Sequence, residues 1–496
     1  MTLLFRSYDS GPFHLLSSPP VVLPSRPPRS LPGDRFIDGV VERGLHRGIV
    51  GIVDFKSRVS MGRSPHGIPL YLFYPFDAGY PPFIVGSKTR HEENMICTVE
   101  FAAWPDSSEW PRGALQERLG PVADPSVERE GIRRAAAVGK LTEEGMKVPD
   151  LAAYKPETWD AVFNIDPVGC EDVDDILAYK VTPSGVKWLI GIADVAAHVP
   201  EGSPLDLVAA SRGQTLYEDG TVVAPMLPHI LSTRLASLRR DGTARPVVGL
   251  VLLVEGGTVT FEGLELHQVV VTQALTYETV PAEIGSRVSA LCAALGRASS
   301  DPHEWIETVM VAYNCHVAQI LRTHCVGLLR RLPASEAPRY ATIAESSGCA
   351  EIAHLGRAAG EYCDPTTADV SHAGVGVPEY CHASSPLRRY ADLINQRCIH
   401  ALLRGEPPTP SNVYAEHLNH RAFVARRMER DLWFLAHVPT GVISSTRGIV
   451  LSEDSVYCPE WKRVVTVRAV GDREVVIRAF VDPASPRRRV ICQAVT

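Results

Sequence analysis

A strand-like run, an acidic turn and a hairpin follow one another without a break between Ala161 and Ala193, and this succession limits the fold more than any other stretch. Ala161-Val162-Phe163-Asn164-Ile165 reads as a strand bounded by proline. The next segment, Asp166-Pro167-Val168-Gly169-Cys170-Glu171-Asp172-Val173-Asp174-Asp175, holds four aspartates and a glutamate, and its proline and glycine place them on a turn. Ile176 to Val181 and Lys187 to Ala193 then flank Thr182-Pro183-Ser184-Gly185, which reads as a hairpin that anchors the turn to a sheet. Crowded carboxylates repel one another unless protons or a cation neutralise them. Oxygen donors without histidine or cysteine partners suit a hard divalent cation, magnesium first and manganese as the alternative. Short acidic runs also serve as solvated turns or helix caps, so spacing alone leaves both readings open.

Length and composition fit a large enzyme. A chain of 496 residues with 45% hydrophobic content has room for about three domains and a sizeable core. The net charge of -7 argues against a generally basic coat but not against a local basic channel, because counterion release depends on local lysines and arginines. The eleven cysteines include no CxxC pair, which disfavours zinc and favours a reducing compartment. A cytoplasmic location is expected, with the nucleus as the alternative. No apolar run approaches the ~18 residues of a membrane span, and the N-terminus lacks the apolar core of a secretory signal, so no membrane association is expected.

Along the chain, Ser18-Pro19-Pro20 and Pro24-Ser25-Arg26-Pro27-Pro28-Arg29 predict a disordered tail over residues 1–34. Short strands at Ile49 to Phe55, Leu70 to Tyr74, Phe83 to Val85 and Ile96 to Trp104 predict a small barrel within residues 35–125. Tyr71 and Phe73, with Lys88 and Arg90 close in sequence, suit stacking and phosphate contacts with a single nucleic-acid strand, and they equally suit a barrel core. Residues 126–154 read as a linker. Further on, Ser385 and Pro386 mark a helix start, with Leu387, Tyr390, Ala391, Ile394, Cys398, Ala401 and Leu402 at helical spacing and Gly405 as the stop. Arg388 and Arg389 would then lie in its first turn, a receptor for phosphate or, on the plainer reading, ordinary surface charge. A second helix is expected from Ser411 to Ala436, with Arg421, Arg426, Arg427, Glu429 and Arg430 forming either a basic stripe or a solvated face of internal pairs. Val464 to Val470 and Glu474 to Val481 read as strands joined at Gly471-Asp472.

Phe163 to Ala178 resembles the catalytic aspartate motif of the ribonuclease II family, which includes ribonuclease R and the exosome-associated exoribonucleases. Other blocks resemble that family in the same order: Gly191 to Val199, Arg212 to Tyr217 with Pro225 to Pro228, Ala274 to Tyr277, His382 to Leu393 and Arg427 to Asp431. Pro167-Val168-Gly169-Cys170 is closer to the eukaryotic, exosome-type branch. The stretch from Trp104-Pro105 through Pro111-Arg112-Gly113 to Leu119-Gly120 resembles the cold-shock-like barrel that precedes the family's catalytic domain. The implied fold is a mixed α/β (α+β) catalytic domain over residues 155–439, flanked by all-β barrels of the OB type: the N-terminal one, and a shortened C-terminal one over residues 440–496. Family members commonly carry two N-terminal barrels, and this chain has room for one. No nuclease domain is recognisable ahead of the barrel, so endonuclease activity is not expected.

The resemblance implies a hydrolytic 3′→5′ exoribonuclease that degrades single-stranded RNA to nucleoside 5′-monophosphates. On this reading Asp166, Asp172, Asp174 and Asp175 hold magnesium, with Asp174 the most sensitive of them and Asp175 beside it in the catalytic group. Arg388 stabilises charge growing on the scissile phosphate. Tyr217 packs on the terminal nucleotide, while Tyr277, Glu429 and Arg389 contact RNA. The partners implied are single-stranded RNA and subunits of an RNA-decay complex. Two departures stand out: Ile176 replaces an alanine and Gln396 a histidine usual in the family, and neither removes a proposed ligand. The alternatives are a catalytically weak RNA-binding scaffold that keeps the fold, and a metal-dependent phosphotransferase, which fits the acids but not the later arginine and tyrosine blocks.

Overall fold

The computed structural model describes residues 3–6, 13–16, 21–23, 29–32, 34–37, 40–44, 46–57, 61–77, 79–334, 338–355, 359–410, 414–468, 473–487 and 490–495. Three short runs at the start, β1 (Leu3–Arg6), β2 (Phe13–Leu16) and β3 (Val21–Leu23), join β4 (Arg35–Ile37) and β5 (Val40–Glu42) in one sheet of order β3-β2-β1-β4-β5. These strands stand where the sequence predicts a disordered tail. Composition over the whole segment hid the apolar runs between the prolines; Ser18-Pro19-Pro20 and Pro24 to Pro28 lie outside the described residues.

The expected barrel is present and has one more strand than the sequence reading found. β6 (Ile49–Val53), β7 (Leu70–Pro75), β8 (Phe83–Gly86), β9 (Met95–Ala103) and β10 (Arg112–Pro121) close in the order β10-β8-β7-β6-β9. β10 escapes notice because glycine, proline and charged residues break up its apolar ones; it is recruited by pairing along β9 and by a parallel contact with β8. That approach needs Gly113, where a Cβ would sit 2.4 Å from a Val99 methyl. Phe73 is fully buried among Val53, Phe55, Phe83 and Val99, and Tyr71 meets Phe55 edge-on with ring centroids 4.7 Å apart. Phe73 is therefore core, and the stacking part suggested for it is corrected.

The expected linker is partly helix. α1 (Pro125–Ala136) starts at Asp124, whose carboxylate accepts the amides of Ser126 and Val127, with proline in the first turn. Its Ile132 and Ala136 pack against Ala425, Met428 and Leu432 much farther along the chain, so tertiary burial makes the helix worthwhile.

The central unit is built on β11 (Lys155–Pro156), β12 (Ala161–Asp166), β13 (Asp175–Thr182) and β14 (Gly185–Ala193), followed by α2 (Pro204–Arg212), a small hairpin of β15 (Leu216–Glu218) and β16 (Thr221–Ala224), then β17 (Arg245–Glu255), β18 (Thr258–Val269) and β19 (Gln273–Thr276). Seven of these form one mixed sheet, β11-β18-β17-β14-β13-β12-β19. Side chains alternate along each strand. Phe163, Leu177, Ile190 and Leu250 face one way, onto α3 (Ala282–Ala294) and α4 (Pro302–Thr323). Val162, Ile176, Ala178 and Leu189 face the other, toward α2 and the later helix that carries Leu393 and Ile394. Each such side chain contributes about 1.5–3 kcal/mol on burial, so the sheet is a rigid platform.

After β20 (Leu329–Arg331), α5 (Pro338–Ser347) and β21 (Glu361–Cys363) come α6 (Tyr390–Arg404) and α7 (Ala415–His437). Gly405 stops α6 in the left-handed conformation, as expected. The expected start of α7 at Ser411 lies outside the described residues. The last unit, β22 (Ile443–Ser452), β23 (Ser455–Cys458), β24 (Arg463–Thr466), β25 (Glu474–Val481) and β26 (Val490–Val495), is a sheet of order β24-β23-β22-β25-β26. β24 and β25 are not the expected hairpin partners, because the long β22 pairs with β25 on one side and β23 on the other; Gly471-Asp472 lies outside the described residues. Among the described residues this sheet does not close. No helix among them is long and apolar enough to cross a membrane.

Candidate active site

Strand register brings the acids together. Phe163 pairs with Leu177 across β12 and β13, so Asp166 at the end of one strand and Asp175 at the start of the next bracket the loop that carries Asp172 and Asp174. β19 runs parallel to β12 with Thr276 opposite Asp166, which delivers Tyr277 to the same edge. The loop is pinned from below: the Val173 amide donates to Ser237 Oγ at 3.0 Å, the Ser237 hydroxyl donates to the Glu171 carbonyl at 2.7 Å, and the Ala193 amide donates to the Asp174 carbonyl at 2.8 Å.

Asp174 faces the arginine block. Its Oδ1 accepts the Leu387 amide at 3.0 Å, and its Oδ2 lies 3.5 Å from Arg388 Nε. Arg388 and Arg389 do not sit in the first turn of α6, as the sequence reading has it, but in the tight turn before it. The Asp392 carboxylate explains this: it accepts the Ser385 amide at 2.7 Å and both Nε and Nη2 of Arg389, at 2.9 and 2.8 Å, leaving Arg389 extended just ahead of the helix. Arg389 is thus engaged by Asp392, with 21% of its side chain exposed. Arg388 instead leans on Ser385 Oγ at 3.1 Å and keeps 46% of its side chain exposed.

The electrostatics are those of an under-neutralised anion cluster. Burial pushes Asp166 up to about 6, with Asp172 adding repulsion against the hydrogen bond from Asn164. Burial likewise raises Asp174 to about 7 although Arg388 and the Leu387 amide pull it down. Asp175 is driven well above the carboxylate range by burial and by the charges of Asp166 and Asp174. A hard cation would relieve this repulsion, and the donors are all oxygen, so the set fits magnesium or manganese in charge and chemistry. Among the described residues no three His, Cys, Asp or Glu side chains converge on one point fit for a metal. Magnesium that keeps waters and takes a substrate phosphate needs only one or two carboxylates.

The tyrosines flank this cluster. Burial pushes both hydroxyls up to about 12; Tyr217 in β15 feels Arg388, Asp172 and Asp174, and Tyr277 feels Asp166 and Asp175. His303 stacks on Tyr277 with ring centroids 3.7 Å apart. Glu429 lies apart on the exposed side of α7, where burial raises its carboxyl and Arg426 lowers it. Of the expected basic stripe, Arg421 is structural: it is buried and donates to the carbonyls of Arg212 and Ala136.

Several organising residues escaped the sequence reading. Asn164, two positions before Asp166 on the same strand, donates to its Oδ2 at 2.8 Å; the strand period was the available signal. Asp392 had no such signal, since its partners lie in a turn. Gln396 is buried and accepts the amides of Val195 and Ala196 while donating to the Ala193 carbonyl at 2.7 Å, so it fastens α6 to the end of β14. Ile176 is accommodated by Gly191, where a Cβ would lie 2.8 Å from its Cδ1.

Residues 158–290 and 282–405 match the RNB domain, together half of the chain, and residues 70–136 match the Dis3-like cold-shock domain 2. Ribonuclease R of Thermotoga maritima is 31% identical over 225 residues, which are 42% of this chain and 30% of that protein. DIS3-like exonuclease 2 of Xenopus tropicalis is 32% identical over 206 residues, 37% of this chain and 23% of the relative. The chain thus spans less than a third of the length of these two relatives. Among solved structures, the apo form of Mycoplasma genitalium RNase R superposes with a TM-score of 0.66 at 16% identity over 100% of both chains. Yeast Ssd1, described as a pseudonuclease, gives 0.64 at 17% identity over 89% of this chain and 69% of that one. Likeness at that identity is a likeness of fold.

Proposed function

This chain belongs to the RNB-domain family, and on that premise we propose that it is a magnesium-dependent exoribonuclease that removes nucleoside 5′-monophosphates from the 3′ end of single-stranded RNA. The observation that carries the reading is the acidic strand-loop-strand from Asp166 to Asp175, with Asp174 3.5 Å from the half-exposed Arg388. Magnesium, or manganese in its place, would be held by these aspartates and would supply Lewis acidity toward the scissile phosphate. Arg388 donates to the phosphoryl oxygens as negative charge grows on them. Asp392 and Ser385 keep the turn that aims it. Tyr217 and Tyr277 supply ring surface for the terminal nucleotides. The relatives' names support the nuclease assignment, and a place in the cytoplasm alongside RNA-decay subunits is part of the same proposal.

One observation favours a second reading. The same fold occurs in a protein described as a pseudonuclease, so an RNA-binding scaffold is the competitor. Purified protein incubated with 5′-labelled single-stranded RNA and magnesium separates the two, with chelator and Asp174→Asn controls. Metal-dependent release of 5′-monophosphates, ending in a short oligomer and absent in the variant, is the expected result. Tight binding of RNA that stays intact would replace the proposal with the scaffold reading.

A further inference from the structure

Among the described residues Arg330 makes no ion pair; Glu361, held by Arg331, acts on it from farther off. The Arg330 guanidinium lies 4.6 Å from the centroid of the Tyr362 ring and against Gly360, where a Cβ would come within 3.2 Å of its Nε. Its Nη1 is buried and finds no hydrogen-bond acceptor among the described residues. The neighbouring acids are engaged elsewhere, Glu361 by Arg331 and Glu379 by Arg322 at 2.9 Å. Burial lowers the Arg330 pKa, and the charges of Arg426 and Arg389 lower it further against the pull of Tyr362 and Glu361. A desolvated guanidinium among other guanidiniums is costly unless an anion completes the set.

The surroundings say which anion. Arg389 is neutralised by Asp392, but Arg426 on α7 is exposed, with Glu429 the acid that acts on it. β21 is tied to α7 by the Tyr362 amide donating to Asn419 Oδ1 at 2.6 Å and Asn419 Nδ2 donating to the Tyr362 carbonyl at 2.9 Å. Asn419 and Arg426 are about two turns apart on one helix face, so the tie brings Arg426 toward Arg330. The Tyr362 hydroxyl lies 2.8 Å from His382 Nδ1, and His382 senses Arg389, Arg330 and Arg388 together. The pair therefore sits beside the arginine turn of the active site.

We propose that Arg330 and Arg426 form a second phosphate subsite, separate from Arg388, that grips a backbone phosphodiester of the bound RNA strand. The proposal rests on the RNA reading above. A guanidinium pair is suited to the paired oxygens of a phosphate, and a ring-stacked arginine is already oriented for it.

The test uses the full chain carrying Asp174→Asn, so that RNA stays intact, and measures binding of a fluorescent single-stranded oligonucleotide across a potassium chloride series. Loss of one phosphate contact should make the slope of log K against log salt shallower by about 0.7. That is the expected result for Arg330→Ala and for Arg426→Ala, while Arg330→Lys keeps the slope and binds less tightly. Arg297→Ala, on a distant surface ion pair, should leave the slope unchanged. An unchanged slope in Arg426→Ala, or in a folded Arg330→Ala, overturns the proposal and leaves Arg330 as a brace for Tyr362. If the chain without Asp174→Asn binds RNA with the expected slopes but does not degrade it, the exoribonuclease reading fails and the subsite stands. Absence of RNA binding at any salt overturns both.

Discussion

Arg388 and Arg389 are neighbours of the same type, and what each touches separates their parts. Arg389 gives two nitrogens to a fully buried carboxylate and closes the turn that carries Arg388. Arg388 makes one hydrogen bond to Ser385, a longer contact with Asp174, and otherwise faces outward. Arg388→Ala should therefore lower the single-turnover rate by about 10²- to 10³-fold with little change in melting temperature. Arg389→Ala leaves the Asp392 charge buried without its partner and should cost about 3–5 kcal/mol of stability, visible in thermal unfolding before any assay. Equal melting temperatures for the two variants would contradict this division. Gln396 allows a similar inference, since its amide satisfies two backbone donors and one acceptor inside the protein. Gln396→Leu should destabilise by about 1–3 kcal/mol for each group left unsatisfied, and a melting temperature equal to that of the parent would show that α6 and β14 hold together without it.

The elements differ in how plainly the sequence announced them. The hairpin of β13 and β14 was legible because two continuous apolar runs and a Pro-Ser-Gly turn agree locally. Four aspartates, Arg388, Tyr217 and Tyr277 were legible as motifs, and strand register brings Asp166, Asp175 and Tyr277 to one edge of the sheet. β10 and α1 were not legible, since what stabilises them is contact with β8, β9 and α7 rather than their own composition. The start of α6 was misplaced because Asp392 acts backward on the turn, which no forward reading of Ser385-Pro386 reveals. α7 also carries chemistry that its sequence disguises. Burial holds His417 down to about 4, although its Nε2 lies 2.8 Å from the Ala210 carbonyl, a bond that pulls the other way. Burial holds His420 down to about 3, with Arg421 lowering it further. An unfolded histidine titrates near ~6.5, so between that pH and about 4 the unfolded chain binds a proton that the folded chain refuses. The contribution of His417 should thus be full above pH ~6.5 and shrink by about 3 kcal/mol as the pH drops toward 4, opposed by Asp166 and Asp174, whose raised values favour the folded state as the pH falls through the same window. The difference in urea midpoint between the parent chain and His417→Gln, in which the aspartates cancel, checks the sign: the parent should lose ground relative to the variant as the pH falls from ~6.5 toward about 4.

A buried hydrogen bond joins α1 to the start of the C-terminal unit. Glu128 of α1 accepts the Thr440 hydroxyl at 2.6 Å, and both residues are at least 95% inaccessible. Nearby, Asn94 of the barrel donates to the Ala484 carbonyl at 3.1 Å, and the Arg487 guanidinium lies 5.3 Å from the Tyr74 ring centroid. The N-terminal barrel and the C-terminal sheet are thereby clasped across α1, although nearly the whole catalytic unit separates them in sequence. Contacts of this kind are invisible to any local pattern, because each partner is an ordinary polar residue until the fold brings it opposite the other. Their worth lies in direction rather than number: a hydroxyl donated to a buried carboxylate contributes about 1.5–3 kcal/mol, while the cation–π contact at the surface contributes about 0.5–1 kcal/mol. Thr440→Val keeps the shape and removes the donor, so a buried carboxylate loses this partner. The expected outcome is earlier release of the C-terminal sheet, read as a lower-temperature shoulder in calorimetry and as protease cleavage near residues 438–442, with the catalytic unit melting where it did before. Arg487→Ala should produce a much smaller change. If both variants melt in one transition indistinguishable from that of the parent chain, the clasp is carried by apolar packing such as that of Phe434 on Trp461, and the Glu128 to Thr440 bond only satisfies groups that were buried for other reasons.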